Sequence, residues 1–307
     1  MRNITLENIT QAVIEHGDKG KTHARLYEIY TSLVRHLHAF VQEVNLTEQE
    51  LSFLGDFLIR ADRYTEEIPN GEIHMLFDLL GISELVVLLH NKSRTATESN
   101  VEGPVYLADV PERNMGDRLG IDRDGNTLFL SGRVLDLNNK PIANALLDVW
   151  QSNSKGLYDL QDASQAKGNF RGRFKTNSDG SYAFETVVPI GYSVPSSGPC
   201  GEMLQLLGRH TQRAGHIHFK LSAEGYIPLT TQIHIDGDPH LDSDTTFAVR
   251  AAIIKLQKHE TLANVPGQNP PSGNFADKLN AYSQSKPFYT AEFDFVLQPT
   301  HQQTNAA

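Results

Sequence analysis

Cysteine is almost missing from these 307 residues: Cys200 stands alone. One thiol excludes an internal disulfide and any multi-cysteine zinc or iron–sulfur site, and it suits a reducing cytoplasm, where the chain is expected to reside. Tryptophan is equally scarce, with Trp150 the single one. No apolar run approaches the ~20 residues that span a bilayer. The opening stretch MRNITLENITQAVIEHGDKG lacks the continuous apolar segment of a signal peptide, so neither a membrane span nor a leader is expected. Positive charge is short as well. The 27 Lys and Arg against 37 Asp and Glu leave a formal net charge of −10 with no long basic run, which removes the electrostatic footprint of a nucleic-acid binder. Apolar residues at 39% can fill a core, and charged ones at 21% are too few for a disordered chain. Histidine, by contrast, occurs thirteen times, so a metal site here would draw on nitrogen and oxygen donors.

The hydrophobic period changes along the chain. From Thr22 to about Leu89 it is helical: Leu26, Tyr30, Leu33, Leu37, Phe40, Val41 and Val44 fall on one stripe. Thr47-Glu48-Gln49-Glu50 has the form of a capping box and opens a second helix through Leu51, Leu54, Phe57 and Leu58. Pro69-Asn70-Gly71 breaks the pattern before a third helix with Met75, Leu76, Leu79 and Leu80, and Ser83 is expected to cap a short fourth through Val86, Val87 and Leu89. Beyond Gly103-Pro104 the signals are those of strands. Residues 127–136 are β-rich, with 144–150 expected as their partner after an Asn-Asn-Lys-Pro turn. Residues 171–176 and 181–186 flank Asn177-Ser178-Asp179-Gly180 and read as a hairpin. Gly215 to Leu221 alternates and 229–235 suits it as a neighbour. Residues 291–297 form a last strand, 247–258 read as an inserted helix, and the polar tail after Gln298 reads as disordered. The expectation is an α+β chain, with an N-terminal helical domain over 1–100 and a C-terminal β-sandwich over 101–307. The stripe of Leu26, Leu33, Leu37, Phe40 and Val44 carries more apolar surface than a short helical cap needs, which predicts a homodimer through the N-terminal helices.

The sharpest chemical signal is Gly215-His216-Ile217-His218-Phe219. On a strand, residues i and i+2 point to one face, so His216 and His218 can offer two imidazoles to one ion. Cupins also use His-x-His on a strand, but they follow it closely with a Glu. Here the first carboxylate is Glu224, beside Gly225 in a turn, and the second cupin histidine motif is missing. A different resemblance covers most of the chain, with its motifs in order. Thr97-Glu98-Ser99-Asn100-Val101-Glu102-Gly103-Pro104, Gly156-Leu157-Tyr158-Asp159, Arg171-Gly172-Arg173-Phe174, Pro189-Ile190-Gly191-Tyr192, Leu207-Gly208-Arg209-His210, Arg213-Ala214-Gly215-His216-Ile217-His218-Phe219 and Leu229-Thr230-Thr231-Gln232 together resemble the intradiol ring-cleaving dioxygenases, the catechol 1,2-dioxygenase and hydroxyquinol 1,2-dioxygenase group. Ala214-Gly215 stands where that family usually has Pro-Ala, a departure expected to loosen the start of the strand.

The resemblance implies a non-haem Fe(III) with Tyr158, Tyr192, His216 and His218 as ligands. Hard phenolate oxygens favour Fe(III) over Fe(II). It implies a catecholic substrate that loses two protons, one of them to Tyr192, which then leaves the metal, before O2 attacks the ring and both its atoms are inserted. Arg213 is expected to stabilise charge developing on the ring and Gln232 to orient the reacting group, while Arg209 and His210 read as structural. The pocket candidates are Met75, Asp78, Val101, Gly103, Pro104, Val194 and Phe247. Asp78 falls where hydroxyquinol enzymes carry Asp and catechol enzymes Pro, and Thr97-Glu98-Ser99, Val194-Pro195 and Gly198-Pro199 also look hydroxyquinol-like. Glu102-Gly103-Pro104 and Ile190-Gly191-Tyr192 are closer to catechol enzymes. Hydroxyquinol (benzene-1,2,4-triol), giving maleylacetate, therefore leads, with catechol giving cis,cis-muconate as the alternative. The family likeness also implies the homodimer and a lipid-like molecule lodged between its helices. An alternative from another class comes from Gly132-Arg133-Val134-Leu135-Asp136 and Lys140-Pro141-Ile142-Ala143-Asn144-Ala145, which resemble a transthyretin-like ligand-binding module.

Overall fold

The computed structural model describes residues 3–16, 23–67, 71–91, 93, 95–260 and 287–300. Packing divides the chain into two compact units, Met1–Arg60 and Ala61–Ala307.

The first unit holds α1 (Ile9–Glu15), α2 (Ala24–Glu43) and most of α3 (Glu48–Arg63). Helix α1 was not expected from the sequence, being too short to set a clear period. It buries Ala12 and Ile14, and the hydroxyls of Tyr27 and Tyr30 on α2 donate to its last carbonyls, Ile14 O at 3.1 Å and Val13 O at 3.3 Å. Carbonyls of a last helical turn lack regular helical partners; Val13 O also accepts from the C-cap His16 N at 3.4 Å. The capping box forms as the sequence predicts: Glu50 N donates to Thr47 Oγ1 at 3.2 Å, and Thr47 N to Glu50 Oε2 at 2.9 Å. Along α2 only Val34 is buried. Leu26, Leu33, Leu37, Phe40 and Val44 are each at least 46% exposed.

The second unit begins with the end of α3, followed by α4 (Ile73–Leu79) and α5 (Ile82–His90). Met75, Leu76 and Leu79 are the buried face of α4. Pro69 and Asn70 of the expected break lie outside the described residues. Ser83 does not cap α5: the helix already starts at Ile82, with Gly81 as N-cap in the left-handed region at φ 71°, a conformation glycine adopts without cost. Among the described residues no single helix is long and apolar enough to cross a membrane.

Among the described residues two five-stranded sheets follow, in keeping with the sandwich that short strands and turn signals predicted. One contains β1 (Thr127–Asp136), β4 (Ser181–Val187), β10 (Gln257–His259), β11 (Phe288–Glu292) and β12 (Phe295–Leu297). The other runs in the order β3 (Arg171–Lys175), β2 (Leu146–Trp150), β7 (His216–Ser222), β8 (Leu229–Ile235), β9 (Ile253–Ile254). A short ribbon joins β5 (Tyr192–Ser193) to β6 (Gln212–Arg213), and α6 (Pro199–Leu206) lies between them in sequence. The inward faces interdigitate in one core: Leu128, Leu130, Tyr182, Phe184 and Phe295 from the first sheet meet Leu147, Val149, Phe174, Phe219 and Ile233 from the second. Phe219 lies 4.8 Å from Phe295, ring centre to ring centre.

Several expected pairings are corrected. Strand β2 does not pair with β1 but with β3 and β7, and β1 takes β4 antiparallel and β11 and β12 parallel. The expected hairpin of 171–176 with 181–186 is no hairpin: the Asp-Gly turn is present, with Gly180 N donating to Asn177 O at 3.0 Å, but β3 and β4 belong to different sheets. Both corrections have one cause. In a sandwich, strands adjacent in sequence can cross from one layer to the other, and local turn chemistry does not say which. The helix expected over 247–258 is absent. Phe247 has φ 60°, incompatible with a right-handed helix, and the segment instead supplies β9 and β10. The last strand is broken at Phe293-Asp294 into β11 and β12. In the tail, Thr300 N donates to Gly225 O at 2.9 Å, so order continues two residues past Gln298, and 301–307 lie outside the described residues.

Candidate active site

The outer face of the second sheet carries the site. His216 and His218 alternate with Ile217 and Phe219, which point into the core. The register sets His216 opposite His234, and His218 opposite both Gln232 on β8 and Trp150 on β2, so five polar or aromatic side chains share one face. Trp150 stacks on the His218 ring at 4.7 Å and 6°. His216 Nδ1 hydrogen-bonds Ala214 O at 2.7 Å. That contact places the proton on Nδ1 and leaves the Nε2 lone pair free. The two Nε2 atoms point at one spot, 3.1 Å apart.

Two tyrosines close on the same spot from loops. Tyr158 sits in the connection after β2, where Asp159 is tied to Arg171 of β3 by a fully buried ion pair of 2.7 Å and also accepts from Gly168 N at 2.8 Å. Tyr192 arrives on β5, whose partner in the ribbon is Arg213. Gly156 lets the two loops touch: at φ 77°, a Cβ there would fall 2.6 Å from Tyr192 Cβ. The phenol oxygens end 3.4 Å apart, and the Tyr192 and His216 rings are 5.5 Å apart. Tyr158 is 2% exposed, while Tyr192 is half-buried.

The electrostatics fit a bound cation. Burial first, and the neighbouring Arg213 second, hold His216 well below the usual histidine range; burial and His216 do the same for His218. Both rings are thus neutral and able to ligate. Burial and the adjacent Tyr192 push Tyr158 well above the usual phenol range, so two phenolates this close require a positive ion between them. His218 Nδ1 is buried without a hydrogen-bond partner. Among the described residues no group of three or more His, Cys, Asp or Glu could hold a metal; the donors gathered here are two phenol oxygens and two imidazole nitrogens. Its hard donors match a hard, highly charged metal.

Arg213 is 6% exposed and reaches the same spot, NH1 lying 3.3 Å from His216 Nε2 while NH2 donates to Gln232 Oε1 at 2.8 Å. Gln232 Nε2 donates in turn to Val101 O at 3.1 Å. Gly103 borders the His218 ring, with 3.5 Å left to Cε1 for a Cβ. Asp78 is half-buried at the end of α4. Burial raises its pKa, against a hydrogen bond from Ser83 and the positive charges of Arg213 and His74. Val194 is buried beyond β5, its N–H donating to Thr211 O at 2.8 Å. Met75 is buried one turn before Asp78, and Pro104 is exposed beside Gly103. Phe247, 51% exposed, sits under Arg209 at 5.0 Å and 3.6 Å from where a Gly81 Cβ would stand. Arg209 also donates to Leu79 O and Thr245 O at 2.8 and 2.7 Å, tying the end of α4 to the turn after Asp244. Ala214-Gly215 does not loosen the strand start: Ala214 N donates to Asp244 Oδ2 at 3.0 Å and Gly215 N to Asp238 Oδ2 at 2.9 Å. Sequence reasoning missed Trp150, His234, Asp159, Glu84 and Asp244. Trp150 and His234 follow from sheet register, and the other three from contacts distant in sequence.

Comparison with known proteins agrees with this geometry. Residues 101–299 match the family model described as "Dioxygenase", and residues 23–98 match "Catechol dioxygenase N terminus". The chain is 39% identical to a hydroxyquinol 1,2-dioxygenase of Rhizobium sp. (strain MTP-10005) over 75% of its own length and 78% of that protein's. Its structure is similar to that of hydroxyquinol 1,2-dioxygenase from Pseudomonas putida DLL-E4, with a TM-score of 0.82 and 34% identity, covering 96% of this chain and 97% of the other. For catechol 1,2-dioxygenase from Pseudomonas arvilla C-1 the values are 0.78 and 30%, over 98% and 94%. The transthyretin-like binding reading falls on these matches, since the likeness spans both halves of the chain. The helical N-terminal part, the sandwich and the face on which histidines and tyrosines meet are those of an enzyme, and the chain belongs to the intradiol ring-cleaving dioxygenase family of hydroxyquinol and catechol 1,2-dioxygenases.

Proposed function

We propose that this chain holds a non-haem Fe(III) through Tyr158, Tyr192, His216 and His218 and uses it to open the ring of hydroxyquinol, inserting both atoms of O2 to give maleylacetate. The convergence of two phenol oxygens and two imidazole Nε2 atoms beside a buried arginine carries this reading. Bound there, Fe(III) would supply Lewis acidity toward the two adjacent hydroxyls and the electron exchange that lets the ring react with O2. Tyr192 is the better placed of the two tyrosines to accept a hydroxyl proton at its phenolate oxygen, because it is half-buried while Tyr158 is locked behind the Asp159–Arg171 pair. Arg213, itself 6% exposed, places a fixed positive charge beside the reacting ring, where shielding from solvent strengthens it. Gln232, held at both ends, keeps that guanidinium in plane.

The substrate choice rests on Asp78. Its carboxylate is already short of solvation and offers an acceptor for a third ring hydroxyl, which plain catechol would leave unpaired. Catechol, giving cis,cis-muconate, is the second reading, supported by Ile190-Gly191-Tyr192 and by the likeness to catechol enzymes. Met75, Val101, Gly103, Pro104, Val194 and Phe247 are assigned to the pocket with Asp78, residues 1–100 to dimerisation and the pocket roof, and 101–307 to catalysis. The single buried thiol suits a cytoplasmic enzyme. The exposed apolar face of α2 is assigned to a second copy of the chain, with a lipid-like molecule between the helices; sedimentation giving a monomer at micromolar concentration would refute that. For the reaction, the test is iron loading followed by turnover on both rings. The reading expects a red-to-purple phenolate–Fe(III) colour and a higher kcat/KM for hydroxyquinol. A colourless protein that resists iron loading would overturn it.

A further inference from the structure

We infer that Asp244 is a positioning residue for ring cleavage, which holds Arg213 from behind and so decides which guanidinium nitrogens face the substrate. This rests on the reading of Arg213 and the four-donor centre given above. Asp244 follows β8 in a tight turn and is 5% exposed. Its Oδ2 lies 3.4 Å from Arg213 Nε, an ion pair between two buried side chains, and accepts from Ala214 N at 3.0 Å. Its Oδ1 accepts from Thr246 N at 3.0 Å and from Thr246 Oγ1 at 2.7 Å. One carboxylate thereby joins the turn that carries Phe247 to the residues leading into His216. The bond from Ala214 exists because that position has an N–H; proline, usual in the family, has none to give.

A guanidinium is a planar fork with five N–H groups. Asp244 sets its charge against the Nε edge at 3.4 Å without a hydrogen bond to that nitrogen, and Gln232 takes NH2. The remaining nitrogen, NH1, is left pointing at His216 Nε2, the side from which a substrate would be approached. Two other carboxylates, Asp78 and Glu84, lie within electrostatic reach of Arg213. Without Asp244 the buried cation would have a reason to swing toward the roof instead.

The test is Asp244→Asn in the iron-loaded protein, an isosteric change that keeps an acceptor for Thr246. Iron content and the charge-transfer band are expected to stay as in the unmodified enzyme, with KM within about twofold and kcat down roughly tenfold to hundredfold, the range for losing a charge-assisted contact. In an Arg213→Gln background the same substitution should change kcat by less than about threefold, because a residue acting through Arg213 has nothing left to act on. A full loss in both backgrounds overturns the inference, as does loss of iron. Thr246→Val removes a bond to Asp244 without touching its charge and should give a smaller loss of kcat, again absent with Arg213→Gln; equal loss in both backgrounds speaks against the inference. A crystal structure of Asp244→Asn needs no turnover: a guanidinium rotated toward Asp78 or Glu84 supports the inference, and one left in place refutes it. Failure of the unmodified protein to cleave either ring would instead overturn the proposed function.

Discussion

Replacing Asp78 by alanine separates a carboxylate that reads the substrate from one that merely ends a helix. Asp78 is the penultimate residue of α4, where the negative end of the helix dipole disfavours an anion by about 0.3–1 kcal/mol. Burial raises its pKa further, only partly offset by Ser83, Arg213 and His74. Alanine should therefore not harm the helix, and any loss of activity belongs to the pocket. A hydrogen bond from a third hydroxyl to this carboxylate is worth about 1.5–3 kcal/mol, so kcat/KM for hydroxyquinol should fall roughly tenfold to hundredfold. Catechol has no third hydroxyl to offer this partly desolvated carboxylate, so its kcat/KM should hold or rise. The assay is steady-state ring cleavage of both substrates by the same iron-loaded preparation, with iron content as the control for an intact centre. Proline, the residue of catechol enzymes, is a poorer probe because it would also remove a helical hydrogen bond. Equal loss on both rings with iron retained would refute the reasoning and return the substrate assignment to catechol.

Tyr158→Phe and His216→Ala should lose iron or nearly all activity, whereas Tyr192→Phe should keep part of its iron, change colour and slow substrate deprotonation; metal analysis with visible absorption checks all three, and a Tyr192→Phe protein like the unmodified one would remove its role as proton acceptor. Arg171→Ala strands the carboxylate of Asp159, both partners being 1% exposed, and should lower the free energy of unfolding by about 3–5 kcal/mol, read as a shift in urea midpoint. Glu84 pairs with Arg250, yet burial, only partly offset by Arg250 and Arg213, raises its pKa from 4.5 to about 7. The folded state then binds this proton more tightly than the unfolded one, so the contribution is complete below pH 4.5 and is lost as pH rises through about 7. Glu84→Gln should flatten that part of the stability profile in urea titrations, and an unchanged slope would contradict the assignment.

Periodicity is local and survived folding. The 3.6-residue stripe on α2, the Thr47–Glu50 capping box and the i, i+2 placement of His216 and His218 each depend on neighbours within one turn or one pleat, and the chain alone specifies them. The order of motifs was likewise enough to mark the family. What lay outside that reach depends on partners far along the chain. Strands β1 and β2, or β3 and β4, look like hairpin partners because turn residues lie between them, but burying both sheet faces sends them to opposite layers. Residues 247–258 have an apolar spacing compatible with a helix, yet Phe247 is fixed at φ 60° under Arg209, and Ile253 pairs beside His234. Trp150 could be counted in the sequence but not seen to stack on His218, and nothing near Asp244 in the chain announces Arg213, 31 positions earlier. The sequence by itself determined which side chains are chemically able to build the centre. Only the tertiary structure decided which of them meet, because burial and hydrogen-bond satisfaction are settled by the whole fold rather than by any one segment.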